Sequence, residues 1–261
     1  MAFHTWDPSH LARFNSSCSS DFLDFYEGIV EDNIRSHNAL PTHKTFAPSS
    51  FRCDRISWFR LRGTQPDTIK NPDKELNFTA EVGTACHRII QTNLAHELGS
   101  NWISARDHLS SVDVPYFYSV QEDEDSLESL VQIEDPPVRF ACDGIIVWKG
   151  KKYLLEIKTS ELSSWRDLTD PKPEHIDQVK CYATLLKISD ILFLYQERQY
   201  GGLKCYEYHV SDPEMDEIMK RIRNVVDLAN KNLAPDPLPK GDKWCTESRC
   251  PYYKKCQEYG R

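Results

Sequence analysis

The sequence lacks any run of about 18 apolar residues, so no segment has the length and polarity of a membrane-crossing helix. It also lacks GxxxxGK[ST], which excludes an ATP-driven motor of the phosphate-loop type. There is no basic excess: 32 Lys and Arg stand against 40 Asp and Glu, a formal charge of −8. That balance excludes a protein that coats nucleic acid nonspecifically. It leaves room for an enzyme with a local basic groove. The opening residues Met1 to Asp7 lack a basic stretch followed by an apolar one, so no secretory leader is expected and a soluble cytoplasmic protein is the default. No internal repeat is present.

What is present is globular. Hydrophobic residues make up 39% of 261 positions, enough for a sizeable core. The expected organisation is one compact domain, with an N-terminal helical extension over 1–50, a core over 51–210 and a C-terminal helix and cysteine segment over 211–261. The nine cysteines are an odd count, and in a cytosolic protein they read as thiols or metal ligands rather than disulfides. Cys86, Cys142, Cys181 and Cys205 lie in apolar-patterned segments and read as core residues. Cys18 lies in a Ser-rich stretch. Cys245, Cys250 and Cys256 cluster near the C-terminus and need another explanation.

Apolar spacing predicts helices over 20–36, 51–63, 81–98, 173–188 and 212–231. Ser49 or Ser50 is the expected cap of the second. The third carries Val82, Ile89, Ile90 and Leu94 as its apolar positions. Strands are predicted over 112–120, 137–148, 152–159, 190–197 and 203–210. Residues 1–19 and 64–77 read as irregular, and the acidic run from Gln121 to Glu128 as a solvated loop.

The most informative segment runs from Ala141 to Ser160. Two apolar stretches flank Lys149-Gly150, a pair suited to a two-residue hairpin turn because glycine accepts positive φ. With that turn Trp148 opposes Lys151, and Asp143 falls opposite Glu156. Opposed side chains share a face, with Cβ atoms about 5 Å apart, and Lys158 lies on the same face as Glu156. Two buried carboxylates facing each other are costly unless a divalent cation sits between them. A lysine alongside would orient or deprotonate an attacking water. The bland alternative is an exposed hairpin edge with a surface Glu–Lys pair.

Two further patterns sit at compatible places. Gly83, His87 and Gln91 share one helix face at spacing four, and Gln178 and Tyr182 lie one turn apart. Singly, each is more often structural.

Together, GxxxH ending at His87, Asp143-Gly144, Glu156-Ile157-Lys158 and QxxxY at Gln178 and Tyr182 resemble the RecB-like PD-(D/E)xK nucleases over roughly residues 50–195. The resemblance implies an α/β fold with a restriction-endonuclease-like core, a mixed central sheet flanked by helices. It implies a Mg²⁺- or Mn²⁺-dependent phosphodiesterase with His87, Asp143, Glu156 and the Ile157 carbonyl as metal ligands. Lys158 would position or activate water, and Gln178 and Tyr182 would line the DNA path or support Lys158.

One upstream cysteine, Cys53, and three downstream, Cys245, Cys250 and Cys256, further resemble the iron–sulfur members of this group, the CRISPR-associated RecB-like exonucleases and the nuclease domain of AddB. There the four thiolates hold a 4Fe–4S cluster. By ligand chemistry alone four thiolates suit tetrahedral zinc equally. The expected activity is exonuclease action on single-stranded DNA or DNA ends, in recombination, repair or CRISPR adaptation, with proteins of those processes as partners. Arg52, Arg55, Arg60, Arg62 and Arg88 are candidate DNA contacts. The rival readings are a metal-stapled DNA- or partner-binding module without catalysis, and an RNA-directed nuclease.

Overall fold

The computed structural model describes residues 20–38, 43–67, 73–122 and 127–259. The expected irregular stretch over 1–19, Cys18 and the middle of the acidic run lie outside these. The chain divides into two compact units. One contains α1 (Ser20–Asn38) and residues 73–78, and the other contains residues 43–67 and the described residues from Thr79 onward. Within the first unit, Lys74 pairs with Glu27 and Glu31 of α1. Among the described residues no helix is long and apolar enough to cross a membrane.

The second unit is a mixed α/β structure. Its five-stranded sheet has the order β1-β5-β6-β7-β8, from β1 (Trp102–Ile103), β5 (Gly144–Trp148), β6 (Lys151–Ser160), β7 (Asp190–Glu197) and β8 (Leu203–His209). Only β6 and β7 are parallel; the other neighbours are antiparallel. The parallel pair needs a crossover, and α5 (Leu162–Asp167) and α6 (Pro173–Leu186) supply it. A separate antiparallel sheet comprises β2 (Tyr118–Glu122), β3 (Ser129–Ile133) and β4 (Val138–Cys142).

The central strand β6 is buried on both faces. Leu155 and Ile157 pack with Ile90 and Leu94 of α3 (Lys74–Leu98) on one side. Leu154 belongs to the main core on the other, with Val179, Tyr182 and Phe193. The β5–β6 turn forms as its sequence requires: Lys149 and Gly150 have φ of 51° and 79°, and the ladder pairs Trp148 with Lys151 and Gly144 with Leu155.

Several expectations are corrected. The strand expected over 137–148 is two strands in two sheets, broken at Asp143. Asp143 turns its carbonyl to the Gln91 side chain, and Gly144 admits the Trp102 ring where a Cβ would lie 2.6 Å from it. The helix expected from Phe51 begins at Asp54 as α2 (Asp54–Leu61), with Cys53 at its N-cap; Ser50 instead donates to the Ala47 carbonyl. The next helix starts at Lys74 rather than near 81, and Ile89 is exposed. Residues 105–111 form α4 (Ala105–Ser111), capped by Ser104, so the strand expected from 112 begins at Tyr118. Gln121 and Glu122 belong to a strand, not a loop. Cys205 is exposed on β8 rather than in the core, and Cys86 is only half-buried, whereas Cys142 and Cys181 are buried.

α7 (Asp212–Asn230) begins with a Ser211–Glu214 capping box. Its Arg221 pairs with Asp54 at 2.8 Å and donates to the Phe51 carbonyl. The tail, ending in α8 (Tyr253–Glu258), returns to the α2 region. Asp67 N–H donates to the Pro251 carbonyl, the Asp67 carboxylate accepts from Lys254 N–H, and Tyr252 stacks on Phe59 with centroids 4.9 Å apart.

Candidate metal centre and cysteine cluster

Asp143 is held from three directions. Its Oδ2 accepts the backbone N–H of Ile157 at 2.7 Å, its Oδ1 lies 3.3 Å from His87 Nδ1, and its carbonyl accepts Gln91 Nε2 at 2.7 Å. The face of α3 read from the sequence therefore meets the centre as a unit. Gly83 starts it, where an added Cβ would sit 3.2 Å from Thr159 Oγ1 on β6. His87 and Gln91 follow one and two turns later. The small residue lets the helix approach the strand closely enough for both side chains to reach Asp143.

Glu156 faces Asp143 in the register that the hairpin imposes, one step past the Gly144–Leu155 pair. It is 2% exposed. Lys158 Nζ lies 2.5 Å from Glu156 Oε1 and donates to Gln178 Oε1 at 3.2 Å; Gln178 Nε2 in turn donates to Tyr182 Oη at 2.6 Å. Tyr182 is buried and stacks on Phe140 with centroids 4.8 Å apart. This chain anchors the lysine in the core of α6.

The electrostatics follow from burial among like charges. Burial pushes Glu156 up to about 7 against the pull of Lys158, and the Asp143 carboxylate adds to the push. Burial opposes charge on Lys158, yet Glu156 and Asp143 outweigh it and raise its pKa. Burial likewise opposes charge on His87, and Asp143 reverses the balance. Such a donor set, with hard carboxylates and an imidazole around one point, fits a divalent cation of the Mg²⁺ or Mn²⁺ type.

One member was missed in the sequence. Oxygens of Glu128 and Asp143 and a ring nitrogen of His87 lie within 4.8 Å of one another, the one such triad among the described residues. Glu128 ends the acidic run read as solvated loop. The signal that could have found it is a second ladder, β3 with β4, which the sequence pattern did not show.

The four cysteines come together at the junction of α2 and the tail. Cys53, Cys250 and Cys256 are buried, and Cys245 is partly so. Burial raises the Cys53 and Cys250 thiols, the latter to about 11; Cys256 and Cys245 raise Cys53 further, and Cys53, Cys245 and Cys256 raise Cys250 further. Arg55, only 4% exposed, points its Nη1 at Cys256 Sγ at 3.4 Å and donates from Nε to the Pro235 carbonyl at 2.8 Å. It is thus committed to this cluster and not available to DNA, a correction to its expected role. Arg52 and Arg62 lie over the Trp244 and Trp58 rings, Arg60 is half-buried and Arg88 is exposed.

No family model matches the chain, and no curated protein matches it. Several solved structures align with it at low identity. SSO0001 aligns at 16% identity over 87% of this chain and 93% of that one, with a TM-score of 0.48. An alkaline exonuclease, LHK-Exo from Laribacter hongkongensis, aligns at 15% identity over 73% and 90% with a TM-score of 0.39. The same enzyme in complex with dAMP aligns at 14% over 77% and 93% with a TM-score of 0.37.

Proposed function

We propose that this chain is a divalent-metal-dependent DNA nuclease with a PD-(D/E)xK core, acting as an exonuclease on single-stranded DNA or DNA ends. The observation that carries the reading is the Asp143–Glu156–Lys158 constellation. A buried carboxylate holds an ammonium at 2.5 Å, and a second carboxylate is fixed opposite by a strand N–H. Structural packing alone gives no reason to bury an acid on the central strand opposite a second acid at the β4–β5 break.

In this reading His87, Asp143, Glu156 and the Ile157 carbonyl hold the cation. Mg²⁺ or Mn²⁺ bound there would polarise a phosphoryl oxygen and lower the pKa of water. Lys158 Nζ orients the attacking water and holds its proton relationship to Glu156. Gln178 and Tyr182 keep the ammonium in place. The RecB-like resemblance read from these same residues supports the assignment.

A 4Fe–4S cluster on Cys53, Cys245, Cys250 and Cys256 belongs to the same reading. Among the described residues no three of these sulfurs lie within 4.8 Å of one another. The four thiols are close enough to raise one another electrostatically, which supports a shared metal or cluster, and the resemblance favours iron–sulfur over zinc. The buried Arg55 charge, aimed at a sulfur with no carboxylate partner among its hydrogen bonds, fits an anionic thiolate cluster. The cluster would tie the tail to α2 and restrict the unfolded chain.

The test is a time course on end-labelled linear DNA, circular DNA and RNA with Mg²⁺, Mn²⁺ or EDTA. Metal-dependent loss of linear DNA is expected. Lys158→Ala should reduce it by a factor of a thousand or more, about 4 kcal/mol of transition-state stabilisation. Linear DNA left intact under every metal condition would refute the reading in favour of a binding module, and preferential loss of RNA would make the enzyme a ribonuclease.

A further inference from the structure

Asp143 stands at the meeting point of two ladders. In the five-stranded sheet the last pair is Gly144 with Leu155, which sets Asp143 opposite Glu156. In the three-stranded sheet the last pair is Ser129 with Cys142, which sets Asp143 opposite Glu128. One aspartate thus has a glutamate across from it on each side, one contributed by each sheet.

The local chain directs Glu128 to that place. Leu127 adopts φ of 56°, a left-handed conformation uncommon for a leucine, and turns the chain into β3. Ser129 is locked by its hydroxyl, which donates to Glu122 Oε2 at 2.6 Å and accepts from Ala105 N–H at 3.3 Å. Successive strand residues point to opposite faces, so a fixed Ser129 leaves Glu128 directed the other way. Its carboxylate arrives within 4.8 Å of both the Asp143 carboxylate and the His87 ring. Glu156 is not part of that triad; its Oε1 is held by Lys158. A second observation lies beside the same aspartate. Gln91 is fully buried and donates to the Asp143 carbonyl, while its own Oε1 has no hydrogen-bond partner. That unused acceptor is suited to a donor such as a cation's coordinated water.

We propose that Glu128 is a direct protein ligand of a divalent cation, completing with His87 and Asp143 a three-ligand position on the side of Asp143 away from Lys158. The inference rests on the reading that Asp143 binds a divalent ion, and adds a carboxylate that the D…ExK pattern does not contain. Two carboxylate oxygens and one imidazole nitrogen form a mostly hard set, suited to Mn²⁺ or Mg²⁺. The assignment also gives β3 a functional reason to be joined to β4 at the point where the chain crosses between sheets.

The experiment is titration of the full-length, anaerobically purified protein with Mn²⁺ alone, followed by electron paramagnetic resonance of the free ion, with metal-free melting measured in EDTA. Wild type should bind Mn²⁺ saturably. Glu128→Gln should weaken binding at least tenfold, Glu128→Asp should recover most of the loss, and the metal-free melting serves to confirm that both variants fold. Glu128→Gln binding within twofold of wild type, while Asp143→Asn loses binding, would overturn the role of Glu128 and leave the nuclease reading standing. Absence of Mn²⁺ binding in wild type would bring down the proposal and the reading together.

Discussion

Gln91 Nε2 donates to the backbone carbonyl of Asp143 at 2.7 Å, across 52 residues of sequence. This contact does what a ladder hydrogen bond would do in a continuous strand. It satisfies the carbonyl at the residue where β4 ends and β5 begins, and lets Asp143 leave both ladders without a buried unpaired group. The side chain that fixes the corner comes from the same helix face as His87.

Gln91→Leu keeps the volume and removes the donor. The Asp143 carbonyl is then buried and unpaired, at a cost of about 1–3 kcal/mol. Urea unfolding should show that loss, and metal affinity should fall with it because the aspartate is less well placed. Unchanged stability in this variant would mean that the corner is held by other contacts.

Gly144 is the next residue along. A Cβ there would lie 2.6 Å from the Trp102 indole, so Gly144→Ala forces the ring or the strand to move. Overpacking of this kind costs about 1–3 kcal/mol. Shrinking the ring should relieve it: Trp102→Leu in the Gly144→Ala background should cost less than in wild type, a coupling readable in a double-mutant cycle. Additive effects would disprove the contact.

The hairpin, its turn and its register were legible because each is a local matter. Lys149-Gly150 specifies the turn, and the turn fixes every pair back to Gly144. The long amphipathic helices and β7 were legible for the same reason, their periodicity being strong. What escaped was non-local. The break at Asp143 depends on Gln91 and Trp102, which no window around residue 143 contains. Helix α4 is seven residues long and α8, Tyr-Lys-Lys-Cys-Gln-Glu, is six, both too short for periodicity to show. Glu128 was hidden by its neighbours: an acidic run reads as solvent-facing unless the strand after it is known to end beside a metal site.

Arg55 gives a prediction for the cysteine cluster. Its guanidinium is buried, reaches Cys256 Sγ at 3.4 Å and directs its other bonds to the neutral carbonyls of Pro235 and Cys256. Arg55→Met should remove a charge-assisted hydrogen bond worth about 1.5–3 kcal/mol. It should also lower iron per chain and visible absorbance in anaerobically purified protein, with a lower melting temperature. Full iron content and unchanged melting would show that the charge serves only local packing.

His175 carries the pH prediction. Its Nδ1 lies 2.8 Å from the Tyr195 hydroxyl, and the two rings stack with centroids 5.7 Å apart. Burial, with Lys158 and Lys172 adding to it, holds its pKa down to about 3 against an ordinary 6.5. The unfolded chain takes up this proton below pH 6.5 and the folded one resists until about 3. The stability it confers is therefore fully present above 6.5 and is lost as pH falls from 6.5 toward 3. Glu214, held down to about 2 by its bond from Lys180, loses stability in the same direction only below about 4.5. Between pH 7 and 5 Glu156, His87 and His108 are also linked to folding, so the histidine is read from the difference between wild type and a His175 variant over that interval. Across that interval His175→Gln, which keeps a polar group for Tyr195 and cannot titrate, should lose less stability than wild type in urea unfolding. Parallel losses in the two proteins would mean that His175 accepts its proton in the folded state as readily as in the unfolded one, and that the burial seen around it does not exclude charge.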